Sequence, residues 1–406
     1  MRKNRKYLLR LALAVLLLCG ALSACTLPWS KAPKAKVPAT YPYVFVHGLN
    51  GFGDDAGVPV SYWGGTDGAL LPALQGEGFT CYAPTVSAVG SAWDRACELY
   101  AQLIGAQVDY GAAHSAAHGH DRLGKEYAAP LFPGWGIADE NNNLRKVNLI
   151  AHSFGGATAR VLCALLKKGS PADVDAAKAA GTTPSPLFVG GKDEWVFSLT
   201  CIAAPHNGVS LLTIADVNPL IAAGTGLLAS FKLDEILSSA GISFGGMRLS
   251  DVLQATKTQD TAYYDLGIAG AKAVNEMTCL NEQTYYFSIP VDGTNKGVPT
   301  NDMSLPLRIV ATLIGGFTSP ENGVNDEWKP NDGLVNTISA TRPFSEAGAP
   351  FAENQPVQPA LWNILPTVRG DHGSVVGLGH TLAETLPLYQ EQMRRIDALS
   401  RKCTGE

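Results

Sequence analysis

The sequence lacks the long basic runs that a nucleic-acid-binding surface needs. The formal net charge of its 406 residues is −5, and a phosphate backbone is held by clustered lysine and arginine. It also lacks an internal repeat, which argues against solenoid and propeller arrays. With 46% hydrophobic residues, the chain can bury a large core. We therefore expect a globular protein with no nucleic-acid partner.

The spacing of the cysteines shows no metal or redox motif. None of the eight cysteines forms a C-x-x-C pair. Cys163 and Cys201 lie in apolar runs, so we expect buried thiols there, although an exported chain can form disulfides. Cys403, near the end of the chain, is the one we expect to be a free, accessible thiol.

The first 25 residues have the pattern of a bacterial lipoprotein signal. Basic residues precede the apolar run 11–18, which is too short to span a bilayer as a permanent helix. The segment 22–25, Leu-Ser-Ala-Cys, resembles the lipobox, in which the cysteine becomes lipidated. The alternative is an ordinary secretory signal with a chance cysteine. We expect lipid at Cys25 and a protein anchored to the membrane outside the cytoplasm.

Residues 26–42 are rich in proline, alanine and lysine, a composition that predicts a flexible tether. Residues 43–406 are then the folded domain. Apolar runs alternate with helix-like segments there, which predicts an α/β fold with a mostly parallel central sheet flanked by helices. The apolar runs that we expect to be strands are 43–46, 147–150, 197–203 and 284–289.

Residues 209–260 differ from the rest of the chain in sequence pattern: their apolar residues lie in helix-like segments that glycines interrupt. They suit either core helices or an amphipathic lid over an apolar pocket. The sequence leaves both open.

The segment 151–156, Ala-His-Ser-Phe-Gly-Gly, lies between a strand-like and a helix-like run. This is the context of a nucleophile elbow, in which a serine sits on a sharp turn between a strand and a helix. An ordinary serine in a tight turn is the alternative. Ser153 is the candidate nucleophile.

A serine nucleophile needs a base, and three histidines follow Ser153 in the chain. His372 lies in a polar, glycine-containing loop near the C-terminus, where a base carried by a strand end is expected. His206 comes too early for the order serine, acid, histidine, and His380 lies just beyond an apolar stretch.

The acid that orients the base is expected to be Asp332, which lies in a turn that leads into an apolar run. Asp326 and Asp371 are competitors, and Asp371 is close in sequence to the histidine it would have to hold. The oxyanion donors should be the backbone N–H groups of Phe154, after the nucleophile, and Leu49, in the first glycine-rich loop.

Three histidines, His114, His118 and His120, lie within seven residues of one another, downstream of Asp94. Imidazole and carboxylate ligands suit Zn²⁺, whereas a plain surface loop is equally compatible with this spacing. The residues alone do not separate these alternatives.

Together these segments resemble the thermoalkalophilic lipases of the Bacillus/Geobacillus group and their staphylococcal relatives, within the α/β-hydrolase superfamily. The stretch 93–120 is the most specific, because generic hydrolases lack it. The matching stretches are 46–53, 62–65, 93–120, 151–156, 185–188, 204–206, 332–337 and 371–372.

The resemblance implies Ser153, Asp332 and His372 as the triad, in an α/β-hydrolase fold with a helical lid. It also implies structural zinc, which would tie the insertion to the core. The implied zinc ligands are Asp94, His114, His120 and Asp234. The family also binds calcium, but Ser374 and Gly379 stand at the matching acidic positions and supply no carboxylate, so calcium is not expected.

The sequence thus predicts a membrane-anchored serine hydrolase that acts on carboxylic esters of acylglycerols. The alternatives are a short-chain esterase or phospholipase with the same triad, or a lipid-binding lipoprotein without catalysis.

Overall fold

A seven-stranded, entirely parallel sheet forms the centre of the protein in the computed structural model, which describes residues 41–217 and 257–404. The strands are β1 (Tyr43–Val46), β2 (Cys81–Tyr82), β3 (Val147–His152), β4 (Val196–Ile202), β5 (Tyr285–Ile289), β6 (Gly348–Pro350) and β7 (Trp362–Ile364). Their spatial order is β6-β7-β5-β4-β3-β1-β2, and every neighbouring pair runs parallel.

Several predictions fall outside the described residues. These are Cys25, the signal and tether up to residue 40, Asp234, and residues 218–256 of the insertion.

Helices cover both faces of the sheet, as the α/β prediction requires. They are α1 (Leu70–Gly76), α2 (Ala92–Ile104), α3 (Ala112–His118), α4 (Gly155–Lys168), α5 (Pro171–Ala179), α6 (Pro186–Val189), α7 (Ser210–Val217), α8 (Ala262–Leu266), α9 (Ile268–Met277), α10 (Leu305–Gly315) and α11 (Leu382–Thr404).

Short pairs and single turns complete the loops. The antiparallel pairs are Gly64–Gly65 with Gly68–Ala69, Gln107–Asp109 with Leu123–Glu126, and Thr294–Asn295 with Val298–Pro299. Val291–Asp292 pairs in parallel with Val368–Arg369. The one-turn 3₁₀ helices are Asp54–Ala56, Pro320–Asn322, Asp326–Trp328 and Ser374–Val376.

The core divides into two layers, one on each face of the sheet. Alternate residues of a strand point to opposite faces, so Val44 packs with α2 and α4 while Phe45 packs with α1 and α11. Every residue of β1, β3 and β4 is buried. A strand covered on both faces has no solvent side, which explains why these strands read as continuous apolar runs.

The carboxyl ends of the central strands lie side by side. Val46 pairs with Ala151, and Ala151 pairs with Cys201 on the next strand. Ligands of open parallel α/β sheets bind beyond the carboxyl ends of the strands, so this edge is where a site is expected.

The predictions for three cysteines are confirmed: Cys163 and Cys201 are buried, and Cys403 is exposed. All six cysteines that the structure describes are free thiols. Burial raises the pKa of Cys163 to about 12, so this thiol stays protonated and inert. None of the helices within residues 41–217 and 257–404 is long and apolar enough to cross a membrane.

Candidate active site and metal centre

Ser153 stands at the tip of a sharp turn between the end of β3 and the start of α4. Its φ of 56° lies in the left-handed region, and its N–H donates to the carbonyl of Ile202, 2.9 Å away. The following glycines allow α4 to start against the sheet: a Cβ at Gly155 would lie 2.2 Å from the carbonyl oxygen of Val46, and one at Gly156 2.6 Å from the Cβ of Ala204. The local sequence therefore raises the serine above the strand ends.

The structure brings Ser153, His372 and Asp332 into one hydrogen-bonded relay. His372 Nε2 lies 2.9 Å from Ser153 Oγ, and His372 Nδ1 lies 2.8 Å from Asp332 Oδ2. The side chains are buried, with exposed fractions of 9% for the serine, 7% for the histidine and 1% for the aspartate. A serine, a base and an orienting acid in this order form the geometry of nucleophilic acyl transfer.

The carboxylate of Asp332 is fixed by its own turn. Its Oδ1 accepts the N–H groups of Leu334 and Val335 at 3.0 and 2.7 Å, which leaves Oδ2 for the imidazole. The N–H of His372 also donates to the carbonyl of Asp332, at 2.9 Å. The two loops are thus joined through backbone as well as side chain.

The competing acids have other roles. Asp371 accepts the N–H groups of Ser304, Gly373 and Ser374 at 2.8–3.1 Å, so it shapes the loop that carries the histidine. Asp326 forms a surface ion pair with Lys329 at 2.8 Å.

The competing histidines are also placed elsewhere. His380 lies 3.8 Å from Glu384 near the surface. His206 is buried against Trp362, with ring centroids 4.7 Å apart.

The first glycine-rich loop presents its carbonyls to a buried arginine that the sequence reasoning missed. The guanidinium of Arg95 donates to the carbonyls of His47 and Gly48 and to Thr158 Oγ1. Within the part of the chain that the structure describes, the N–H groups of Leu49 and Phe154 have no hydrogen-bond acceptor. Two unused N–H groups beside a nucleophile are what an oxyanion hole requires.

A second cluster joins Asp94 of α2, His114 of α3, His120 and Asp260, whose ligand atoms all lie within 4.8 Å of one another. His114 Nε2 lies 3.3 Å from Asp94 Oδ1 and 3.1 Å from Asp260 Oδ1, and His120 Nε2 lies 3.2 Å from Asp260 Oδ2. Two imidazoles and two carboxylates form a donor set suited to zinc.

The protein around the cluster orients the rings. His120 Nδ1 lies 2.9 Å from the carbonyl of Asp121, so that nitrogen carries the proton and Nε2 keeps its lone pair. The His114 ring stacks on Trp93, with centroids 4.9 Å apart and planes 12° from parallel. Asp173 accepts the N–H groups of Ala113 and His114 at 2.8 and 2.9 Å, which fixes the start of α3.

The cluster contains three of the four predicted ligands, Asp94, His114 and His120, and adds Asp260. The fourth predicted ligand, Asp234, lies outside the described residues and stays a prediction. Asp260 precedes Thr261, which caps α8 with its side chain, so the polar turn before an apolar helix was the available signal. His118 is exposed and stands outside the ligand set, as expected.

Of the two positions that bear on calcium, Ser374 donates its hydroxyl to the carbonyl of Asp371 at 2.6 Å, and Gly379 is exposed. The expectation about calcium stays a prediction.

Comparison with known proteins gives consistent matches. The family described as "Lipase-like, C-terminal domain" matches residues 39–220 and 248–388. The lipase of Staphylococcus hyicus is 36% identical over 361 residues, covering 83% of this chain and 53% of that protein. Lipase 1 of Staphylococcus aureus (strain N315) is 34% identical over 360 residues, covering 83% and 50%. The chain spans about half the length of the curated relatives it matches.

Solved structures agree. The Staphylococcus hyicus lipase has a TM-score of 0.74 at 32% identity, covering 92% of this chain and 98% of that one. EstA from Clostridium botulinum has a TM-score of 0.71 at 30% identity, covering 90% and 89%. Lipase 1 from Pelosinus fermentans has a TM-score of 0.70 at 34% identity, covering 88% and 99%. These matches confirm the family resemblance that the motifs indicated.

Proposed function

Because this chain belongs to the lipase-like family, we propose that it hydrolyses carboxylic esters of acylglycerols through an acyl-enzyme on Ser153. The observation that carries the proposal is the relay in which His372 Nε2 lies 2.9 Å from Ser153 Oγ while its Nδ1 lies 2.8 Å from Asp332 Oδ2. The relatives named as lipases supply the substrate class, and the relay supplies the chemistry.

The proposed reaction begins when Ser153 Oγ attacks the ester carbonyl and gives its proton to His372 Nε2. Asp332 stabilises the imidazolium that forms and keeps its ring oriented. The imidazolium then protonates the leaving alcohol, and the acyl group stays on the serine. His372 then takes a proton from a water molecule as the water oxygen attacks the acyl carbonyl. The bond between the acyl carbon and Ser153 Oγ breaks, Oγ takes the proton back from His372, and the carboxylic acid is released.

The negative charge that develops on the carbonyl oxygen needs donors already in place. We propose the N–H groups of Leu49 and Phe154 for this role, since neither donates elsewhere among the described residues. Removing one such donor typically costs about 10²–10³ in kcat. The buried Arg95 guanidinium supports this arrangement by holding the carbonyls of the loop on the opposite side.

The insertion 209–260 is the proposed lid. Its first helix, α7, is tied to the turn after the acid: Asn336 accepts the N–H of Ser210 at 2.9 Å and donates to its hydroxyl at 2.8 Å. A lid anchored beside Asp332 would cover the acyl chain of a bound ester.

The test is hydrolysis by the purified chain from residue 26 onwards, across esters from butyrate to emulsified long-chain triacylglycerol. Ser153→Ala is the paired variant, and Ser185→Ala, which removes a cap of α6, is the matched serine control. Activity that rises with acyl length and is lost only in Ser153→Ala supports a lipase. Activity confined to short soluble esters supports the esterase alternative, and equal activity of Ser153→Ala and wild type would overturn the assignment.

We also propose that the second cluster holds structural zinc. Asp94 Oδ1, His114 Nε2, His120 Nε2 and Asp260 Oδ1 are buried atoms without a hydrogen-bond partner, and buried polar atoms of this kind need a ligand. Four protein ligands would close the coordination shell, so the metal would cross-link α2, α3, the loop after α3 and the segment before α8. Zinc content near one per chain in wild type, and its loss in the double variant Asp94→Ala with His120→Ala, is the expected assay result.

The proposed location is the outer face of the membrane, with lipid on Cys25. Radiolabelled palmitate should be incorporated by the full chain and not by Cys25→Ser. Labelling of both proteins alike would contradict the anchor.

A further inference from the structure

A chain of hydrogen bonds connects the first glycine-rich loop to the backbone of His372. The N–H of Gly48 donates to the hydroxyl of Tyr62 at 2.9 Å. That hydroxyl lies 2.6 Å from His152 Nδ1. His152 Nε2 lies 3.0 Å from the carbonyl oxygen of His372.

The direction of each bond follows from the donors available. A backbone N–H can only donate, so the Tyr62 hydroxyl accepts from Gly48 and gives its own proton to His152 Nδ1. The proton of His152 then sits on Nε2 and is donated to the His372 carbonyl. Burial, and then the charge that His372 carries when protonated, lower the pKa of His152 well below its ordinary value, which keeps the ring neutral and in this single tautomer.

The chain is held in a tightly packed setting. His152 is 3% exposed, and Trp63 packs edge-on against Tyr62 with ring centroids 5.1 Å apart. A Cβ at Gly48 would lie 2.9 Å from the Tyr62 hydroxyl and 2.8 Å from the Cβ of Ser153. The backbone at Gly48, the Tyr62 hydroxyl and the Ser153 side chain are therefore closely packed, with no space for a side chain at position 48.

We propose that Tyr62 and His152 are positioning residues that hold the loop 47–49 and the backbone of His372 in register around Ser153. The inference rests on the proposed function. The hydrogen bonds of both side chains go to groups other than Ser153 Oγ and the His372 ring nitrogens, and the His152 ring packs beside the His372 ring with centroids 4.7 Å apart. Gly48 immediately precedes the proposed oxyanion donor Leu49. The carbonyl that accepts from His152 belongs to the backbone of His372, so this hydrogen bond restrains the backbone that carries the imidazole. A displacement of 1 Å at a reacting group can cost about 100-fold in rate, so the loss of this chain should act on turnover rather than on substrate binding.

The test compares Tyr62→Phe, His152→Leu and the double variant on a short soluble ester. Each single variant should lower kcat tenfold or more with KM within twofold of wild type. Because both residues act through one chain, the double variant should be no slower than the slower single variant. If His152→Leu does not fold, the kcat of Tyr62→Phe alone tests the inference, because this variant removes only the hydroxyl oxygen that links Gly48 to His152.

Two further variants separate positioning from general stability. Tyr43→Phe is the matched control, since Tyr43 is also buried and donates its hydroxyl to a backbone carbonyl, that of Met393 at 2.8 Å, far from the serine. It should lower the melting temperature and leave kcat unchanged. His152→Gln keeps an amide donor for the His372 carbonyl and should recover part of the kcat that His152→Leu loses.

Unchanged kcat in Tyr62→Phe, or losses that multiply in the double variant, would overturn the inference while leaving the proposed function intact. Failure of the proposed function has a different signature, because Ser153→Ala would then remain active.

Discussion

The two polar clusters of this protein differ in how their atoms are satisfied. In the relay, His372 has a partner on each ring nitrogen, Ser153 on one side and Asp332 on the other. In the second cluster, four ligand atoms face one another without hydrogen bonds. A complete relay is ready to move a proton, whereas a set of converging lone pairs is ready for a cation. The same residue types, aspartate and histidine, thus serve two purposes through the partners that surround them.

The largest effect should come from breaking the relay. Asp332→Asn removes the charge that stabilises the imidazolium and favours the wrong tautomer, so kcat should fall by about 10⁴-fold, while zinc content stays unchanged. Asp326→Asn, at an exposed ion pair, is the control and should leave kcat unaltered. A kcat for Asp332→Asn within tenfold of wild type would show that Asp332 does not act in the relay as proposed.

The second-largest effect tests whether Asp260 or Asp234 is the fourth metal ligand. Asp260→Asn should release zinc and lower the melting temperature, because a metal that binds only the folded chain stabilises it by about 4 kcal/mol at a free concentration 1,000 times its dissociation constant. The kcat at low temperature should persist, since no ligand belongs to the relay. Asp234→Asn should change neither the zinc content nor the melting temperature. If Asp234→Asn loses zinc and Asp260→Asn keeps it, the fourth ligand is Asp234, as the family resemblance implied.

A smaller effect concerns pH in the metal-free protein. Burial opposes protonation of His114, but the carboxylates of Asp260 and Asp94, which lie 3.1 and 3.3 Å from its Nε2, favour the charged ring more strongly and raise its pKa to about 9. A raised pKa adds stability that is complete below the ordinary value of about 6.5 and is lost as pH rises through the folded value. The melting temperature of chelator-treated protein should therefore fall between about pH 6.5 and 9.

The zinc-loaded protein is the control for that slope, because the metal replaces the proton on His114. Its melting temperature should change less over the same range. Equal slopes with and without zinc would show that the cluster does not titrate in this way.

The smallest expected effect lies at the elbow. Ser153 has a φ of 56°, and the left-handed region costs a residue with a Cβ about 1–2 kcal/mol. Ser153→Gly and Ser153→Ala should both be inactive, but the glycine variant should be more stable to urea, by about 1 kcal/mol. Equal stability would mean that the turn holds no strain.

The sequence supported the architecture well because buried parallel strands read as apolar runs and the elbow has a local signature. The three relay residues could also be proposed from the local sequence: Ser153 follows an apolar run, Asp332 lies in a turn that leads into one, and His372 lies in a polar, glycine-containing loop. The sequence offers only a weak argument against Asp371 as the acid, namely that it adjoins His372. In the structure both of its carboxylate oxygens accept backbone N–H groups.

What the sequence could not supply are contacts between distant segments. Asp260 approaches His114 and His120 across more than a hundred residues, and its local signal, a polar turn before an apolar helix, does not by itself indicate a metal ligand. Tyr62 and His152 are 90 residues apart, and only the packed sheet makes them neighbours. Arg95 reads as an ordinary helical arginine until its guanidinium is seen buried under the first loop.

The distance along the chain between the relay's members has a consequence for biosynthesis. Ser153 and His372 are separated by 219 residues, and contacts this far apart form late because a long loop must close first. A nascent chain that has already displayed its serine still lacks the base and the acid. On the proposed mechanism, such a chain would be inert until nearly all of it had been made and packed, which would protect the lipids of the producing cell during synthesis.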